Sequence, residues 1–158
     1  MDCEAVCCPS PNNPVIAPVG KPAKSRKLLQ VVMYLEIVVC IVKMMLFGTF
    51  NGLLNLVSVW IDYMAYATMH YCQAMIVSIA AGIDLLMLAV TYSSYKPMLA
   101  KDQTKEVMFW FLVGFSAFKM ISGMLAYVHF KQAFVQQVPQ DNYMGPSMFS
   151  PMMQQPVY

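Results

Sequence analysis

Long apolar runs, separated by short polar interruptions, make up most of this chain. The longest run covers residues 50–92, which contain no Lys or Arg and only two acids, Asp62 and Asp84. At a rise of about 1.5 Å per helical residue, this run is roughly twice as long as one helical crossing of a bilayer requires. The pattern therefore predicts two membrane-spanning helices joined by a tight turn near residues 68–71.

The flanking pattern adds one span on each side of this pair. We expect an all-α integral membrane protein, a four-helix transmembrane bundle within residues 28–131. A turn is predicted at 49–52 and a polar loop at 93–106. Both tails are expected to be disordered, because they cannot offset their ordering entropy. The N-terminal tail is 1–27, with Pro, Cys and basic residues, and the C-terminal tail is 132–158, with Gln, Pro and Met. The predicted spans are about 28–48, 50–67, 71–92 and 107–130.

Composition supports a membrane protein and narrows its chemistry. The chain is 59% hydrophobic and 11% charged, whereas soluble domains are about a quarter charged. A net charge of +2 is too small for a general nucleic-acid footprint, so no nucleic-acid partner is expected. Cysteine spacing of the zinc type is absent, as are the common nucleotide-binding and hydrolase motifs. We therefore expect no enzymatic activity, no metal and no cofactor.

Basic residues immediately before the first span set the expected topology. The positive-inside rule predicts that both termini lie in the cytosol. We expect the bundle to lie in an endomembrane (Golgi, vesicle or ER) or in the plasma membrane. Cys7 and Cys8 near the membrane are candidates for S-acylation, the alternative being free reduced thiols. The tails are candidate sites for cytosolic partners. The basic residues that precede the first span and predict this topology are Lys21, Lys24, Arg26 and Lys27.

Five ionisable residues fall inside the predicted spans: Glu36, Lys43, Asp62, Asp84 and Lys119. Each costs a few kcal/mol in lipid, so each is expected to face the bundle interior. Helix rise places Glu36 and Lys119 about 12 and 16 Å from the cytosolic helix ends, and Asp84 and Lys43 about 20 and 22 Å. We predict the pairs Glu36–Lys119 and Lys43–Asp84. Exchanging the charges of the first pair should then restore expression lost by either single change. Asp62, about 8 Å deep, has no basic partner at its level.

Uncharged polar residues extend this pattern. Asn51, Asn55, Ser58 and Asp62 recur at intervals of four, three and four, which forms one stripe on the second helix. Gln73 shares a predicted face of the third helix with Asp84. The favoured interpretation is interhelical hydrogen bonding that holds the bundle together. The alternative is a hydrated path for a cation or proton, with the two aspartates as acidic stations.

Small residues predict how the fourth span is oriented. Ser116, Gly123 and Ala126, together with Lys119, are expected to pack inward, which leaves aromatic residues toward lipid or other bundle surfaces. Those aromatic residues are Phe109, Phe111 and Phe118. Gly48 and Gly52 match a GxxxG spacing but are interpreted as turn glycines.

The four-span layout with cytosolic tails resembles that of small tetraspan vesicle proteins, such as secretory carrier and MARVEL-type proteins. The resemblance covers topology only, because the Cys-Trp-Tyr-Arg-Pro-type loop motif of secretory carriers is absent between the second and third spans. We expect a structural, trafficking or adaptor component, or a subunit of a larger membrane complex or homo-oligomer in the lipid bilayer. The alternative is a small cation or proton channel that uses the polar faces of the second and third spans.

Overall fold

Four α-helices form the part of the chain that the computed structural model describes, residues 16–17 and 19–137. The helices are α1 (Lys21–Phe47), α2 (Thr49–Thr68), α3 (Tyr71–Leu99) and α4 (Gln103–Gln137). Because their connections are short, successive helices run antiparallel. The most extensive contacts join α3 to α4 and α1 to α2, followed by α1 to α4, and the α2–α3 contact is the smallest of these four. The bundle is therefore closed on three sides and loosely packed on the α2–α3 side.

Three of these helices, α1, α3 and α4, are long and apolar enough to cross a membrane. Large apolar side chains also cover much of the outside of the bundle, including Phe50, Leu86 and Val90. Monomeric soluble proteins rarely expose apolar surface of this extent. The predicted all-helical architecture with apolar, membrane-compatible helices is confirmed at this level.

Helix ends differ from the sequence-based boundaries. Helix α1 begins at Lys21 rather than near residue 28, and α4 continues to Gln137. The predicted polar loop at 93–106 is mostly helical, since α3 ends at Leu99 and only residues 100–102 connect it to α4. Polar composition alone does not end a helix. Asp102 caps the start of α4 by accepting a hydrogen bond from the backbone N–H of Thr104 at 3.1 Å. Predictions for residues 1–15 and 138–158, including Cys7 and Cys8, lie outside the described residues.

Two short turns reverse the chain. Gly48 adopts φ 90° between α1 and α2, a left-handed conformation that favours glycine. The predicted turn at 49–52 is wrong, because Gly52 lies inside α2, where an added Cβ would approach the Cys40 carbonyl oxygen to 2.8 Å. Gly52 therefore allows α1 and α2 to pack closely. The predicted tight turn near 68–71 is present, with Met69 in the left-handed region at φ 51°.

Close approach of α3 and α4 also depends on a small residue. A Cβ at Gly123 would lie 2.9 Å from the backbone nitrogen of Ser78, whose hydroxyl donates a hydrogen bond to the Met120 carbonyl at 2.9 Å. The small-residue face of α4 is buried as predicted. Phe111 and Phe118 are exposed, whereas Phe109 is buried in the apolar core, so these aromatic residues divide between the two predicted settings, lipid and other bundle surfaces. Buried members of this face are Ser116, Lys119, Gly123 and Ala126.

Candidate functional site

Lys119 is the centre of a buried cluster that joins three helices. Its Nζ lies 2.9 Å from Glu36 Oε2 of α1 and 2.9 Å from Asp62 Oδ2 of α2. It also donates a hydrogen bond to Ser58 Oγ of α2 at 2.8 Å. All three ionisable side chains of the cluster are almost completely buried. A single α4 ammonium group thus connects α4 to both α1 and α2.

A second ion pair joins α1 to α3. Lys43 Nζ lies 2.5 Å from Asp84 Oδ1, and Ser116 of α4 donates to Asp84 Oδ2 at 2.7 Å. Both ion pairs predicted from helix rise, Glu36–Lys119 and Lys43–Asp84, are confirmed. The sequence predicts Ser116 only as a small packing residue. Its position three residues before Lys119 on the same helix face is the sequence signal for its additional role.

Asn55 connects the two ion pairs. Its side-chain oxygen accepts a hydrogen bond from Lys43 Nζ at 2.8 Å, and its side-chain nitrogen donates to Glu36 Oε1 at 2.6 Å. Hydrogen bonds and ion pairs therefore run continuously through all four helices. We call this set the polar network; it consists of Glu36, Lys43, Asn55, Ser58, Asp62, Asp84, Ser116 and Lys119.

Asp62 departs from its prediction. The sequence assigned it no basic partner, whereas the structure places it against Lys119. The side chain is fully buried, yet neither carboxylate oxygen forms a well-oriented hydrogen bond within the described residues. The contact is therefore an ion pair by distance that lacks hydrogen-bond geometry. A buried carboxylate with incomplete pairing is costly and depends on its one cation.

Formal charges in the polar network do not cancel. Three carboxyl groups face two ammonium groups, an excess of one acid. Lys119 serves two acids, while Lys43 serves one. The excess therefore lies in the cluster around Lys119, where Glu36 and Asp62 share one counter-charge. Low-dielectric surroundings make such an excess expensive unless it is compensated locally.

Other predicted polar residues lie outside the polar network. Asn51 is exposed and donates a hydrogen bond to the Phe47 carbonyl at 2.9 Å. Thr91 donates to carbonyls of its own helix, and Gln73 is half-buried near the start of α3. The polar stripe on α2 therefore divides. Its central members enter the interior, while Asn51 stays at the edge of the bundle.

An open cavity of about 470 Å³ lies between the first half of α2 and the second half of α3. We call it the lateral cleft. The Lys43–Asp84 pair lies on its lining together with Asn55 and Ser58, and the apolar part of the lining includes Leu54, Met87 and Leu88. Asp84 keeps 34% of its side chain exposed, whereas Lys43 keeps 8%. The cleft thus connects the outside of the bundle to one end of the polar network.

Polar contacts near the α2–α3 turn are separate from this site. His70 accepts a hydrogen bond from the Cys72 backbone N–H at 3.1 Å and caps α3. Burial lowers the pKa of His70 below its usual value. His129 and Ser25 form a 2.7 Å hydrogen bond between α4 and α1. Across residues 16–17 and 19–137, no three His, Cys, Asp or Glu side chains are close enough together to hold a metal ion.

No family model, no curated protein and no solved structure matches this chain.

Proposed function

We propose that the chain is a non-enzymatic four-span membrane scaffold that acts as a structural, trafficking or adaptor component. The observation that carries this proposal is that all five ionisable residues predicted to lie in the spans contact an opposite charge on another helix. Their charges are used to connect helices. Such interhelical contacts are a common packing device in membrane bundles.

Helix α2 provides the fourth crossing in this proposal. Its 20 residues extend about 30 Å, the thickness of a hydrocarbon core. Its one acid, Asp62, is completely buried, and its outer face carries exposed Leu53, Leu56 and Val57. An even number of crossings puts both ends of the bundle on one side, and the basic first turns of α1 favour the cytosol for that side.

Cysteine accessibility tests the crossing number. Lys21 and Lys131 are both exposed, near opposite ends of the described chain. Each is changed to Cys separately, in a background whose five native cysteines are replaced by Ala. Four crossings predict that a membrane-impermeant maleimide labels both positions from the same side of sealed vesicles. Labelling from opposite sides would mean three crossings and would reject this topology.

A second candidate function is conduction of a proton or a small cation. The observation that favours it is the lateral cleft, which reaches the Lys43–Asp84 pair, from which contacts run through Asn55 to Lys119 and Asp62. Within the described residues, however, hydrogen bonds between protein groups end before Asp62. At the cleft, the balanced Lys43–Asp84 pair also gives an entering cation little net attraction. These two points favour the scaffold.

Flux measurements distinguish the two functions. Purified protein is reconstituted into liposomes that contain a pH-sensitive or cation-sensitive dye. The scaffold predicts flux equal to that of protein-free liposomes. Flux that Asp62→Asn or Asp84→Asn abolishes, while the loop variant Asp102→Asn keeps it, would establish conduction instead. Capture of a cytosolic partner by the full chain, lost on deletion of residues 138–158, would support the adaptor role.

A further inference from the structure

We propose that the lateral cleft binds a lipid with an uncharged, hydroxyl-bearing head group. This inference goes beyond the proposed scaffold role, because it assigns a ligand site that the scaffold does not require. The cleft has the volume of an ordinary small-molecule site, about 470 Å³. It lies where α2 and α3, the least extensively packed neighbours, leave the side of the bundle open.

The charges in the cleft select against a charged head group. Lys43 and Asp84 neutralise each other at 2.5 Å. An anionic head group would therefore be repelled by Asp84, which lies beside Lys43 in the lining, and a cationic head group would be repelled by Lys43. Bringing a net charge into this partly buried site would cost desolvation without an unpaired counter-ion to offset it. An uncharged polar head avoids that cost.

The hydrogen-bonding groups favour a head that donates a hydrogen. Asp84 accepts one bond from Lys43 and one from Ser116, one on each carboxylate oxygen. Each carboxylate oxygen has capacity for a further bond. Because the side chain is 34% exposed at the cleft, a hydroxyl can approach it from that side. A hydrogen bond to an ionised acceptor is stronger than one between neutral groups.

The apolar part of the cleft accommodates hydrocarbon. Leu54 of α2 and Met87 of α3 stand on either side, and Leu88 lies further in. Leu54 and Met87 are both more than half exposed, and so are Leu53 and Leu86, which precede them and are not part of the lining. A ligand that enters from lipid can therefore place its chain between the two helices while its hydroxyl reaches Asp84.

Photo-crosslinking in phosphatidylcholine liposomes tests this proposal with the full chain. The probes are a diazirine-bearing diacylglycerol and a diazirine-bearing sterol, which distinguish two sources of the same hydroxyl chemistry. We expect at least one probe to label peptides that contain Leu54 or Met87, in competition with its unlabelled form. Methylation of the probe's hydroxyl should weaken labelling about tenfold, the effect of losing a hydrogen bond to a charged group.

Matched variants locate the site without altering the polar network. Leu54→Trp and Met87→Trp should fill the cleft and reduce labelling at least fivefold. The control variants Leu53→Trp and Leu86→Trp have the same chemistry on the neighbouring outer surface and should label like the unmodified protein. Equal labelling of all four variants would overturn the proposal. Labelling that is absent for both probes, insensitive to hydroxyl methylation, or as strong with a phosphatidylserine probe would also overturn it.

Discussion

Lys119→Met should destabilise the bundle more than any other single charge removal. The substitution keeps a long side chain but leaves Glu36 and Asp62 buried without their shared cation. The two hydrogen bonds of Lys119, to Glu36 and Ser58, would amount to about 1 kcal/mol at the average value for membrane proteins. Removal of one partner from a buried ion pair costs about 3–5 kcal/mol. We therefore expect the free energy of unfolding to fall by about 1–5 kcal/mol.

Equilibrium unfolding of the purified protein by SDS in mixed micelles measures this change. The matched control is Lys105→Met, on the same helix. Lys105 pairs with Asp102 at 3.6 Å, and both side chains are about 40% exposed. An exposed pair of this kind contributes about 0–1 kcal/mol. A fall of less than about 1 kcal/mol for Lys119→Met, or equal effects of both variants, would refute the structural role of the cluster.

Exchange of the Glu36 and Lys119 charges gives a second test of the same cluster. The sequence alone predicts that the double variant Glu36→Lys with Lys119→Glu recovers. The structure changes that expectation, because the new Glu at position 119 would face Asp62, whose carboxylate now lies 2.9 Å from the ammonium group. Two adjacent buried carboxylates repel each other. Recovery should therefore require Asp62→Asn as a third change, and full recovery of the double variant would contradict the Asp62 contact.

Three further predictions use the same unfolding measurement. Asn55→Leu should lower the free energy of unfolding by about 1–3 kcal/mol, because it leaves buried charged partners unsatisfied. The control Asn51→Leu, at an exposed site, should change it by less than about 0.5 kcal/mol. Equal effects would contradict the bridging role of Asn55. Gly123→Ala should cost about 1–3 kcal/mol from overpacking against α3, while Gly114→Ala, which meets no neighbouring atom, should be neutral or slightly stabilising. Burial lowers the pKa of His70, so the unfolded chain binds a proton more readily than the folded chain, and stability should fall as the pH drops below about 6.5. His70→Asn preserves an N-cap acceptor and should reduce this fall. An unchanged pH dependence in this variant would contradict the role of His70.

The apolar runs of the sequence determined the helices and much of their polar pairing. Helix rise is the same in every α-helix, so sequence distance along a span converts directly into depth. Glu36–Lys119 and Lys43–Asp84 were predictable for this reason. The tight turn near residues 68–71 was also predictable, because little chain separates two long apolar segments there.

Tertiary structure alone decided how far each helix extends and which residues of neighbouring helices lie at the same level. Asp62 lies six residues from the end of α2, and Glu36 lies 15 residues from the start of α1, yet both reach Lys119. Helix α1 therefore extends about nine residues beyond α2, roughly 13 Å. The depths predicted from the sequence were counted from the end of each helix, and these ends do not lie at one level. For this reason the sequence predicts no basic partner for Asp62.

The lateral cleft also results from how the helices pack. A Cβ at Gly52 or Gly123 would collide with backbone atoms of the facing helix. The two glycines therefore allow α1 to approach α2, and α3 to approach α4, closely. These two close pairs then meet mainly through α1 and α4, which leaves α2 and α3 apart. Periodicity identifies the polar face of each helix, but the distance between two faces depends on packing around the whole bundle. The sequence thus shows which polar side chains need partners inside the bundle. Packing of the helices decides that one of the resulting pairs, Lys43–Asp84, borders an open cleft.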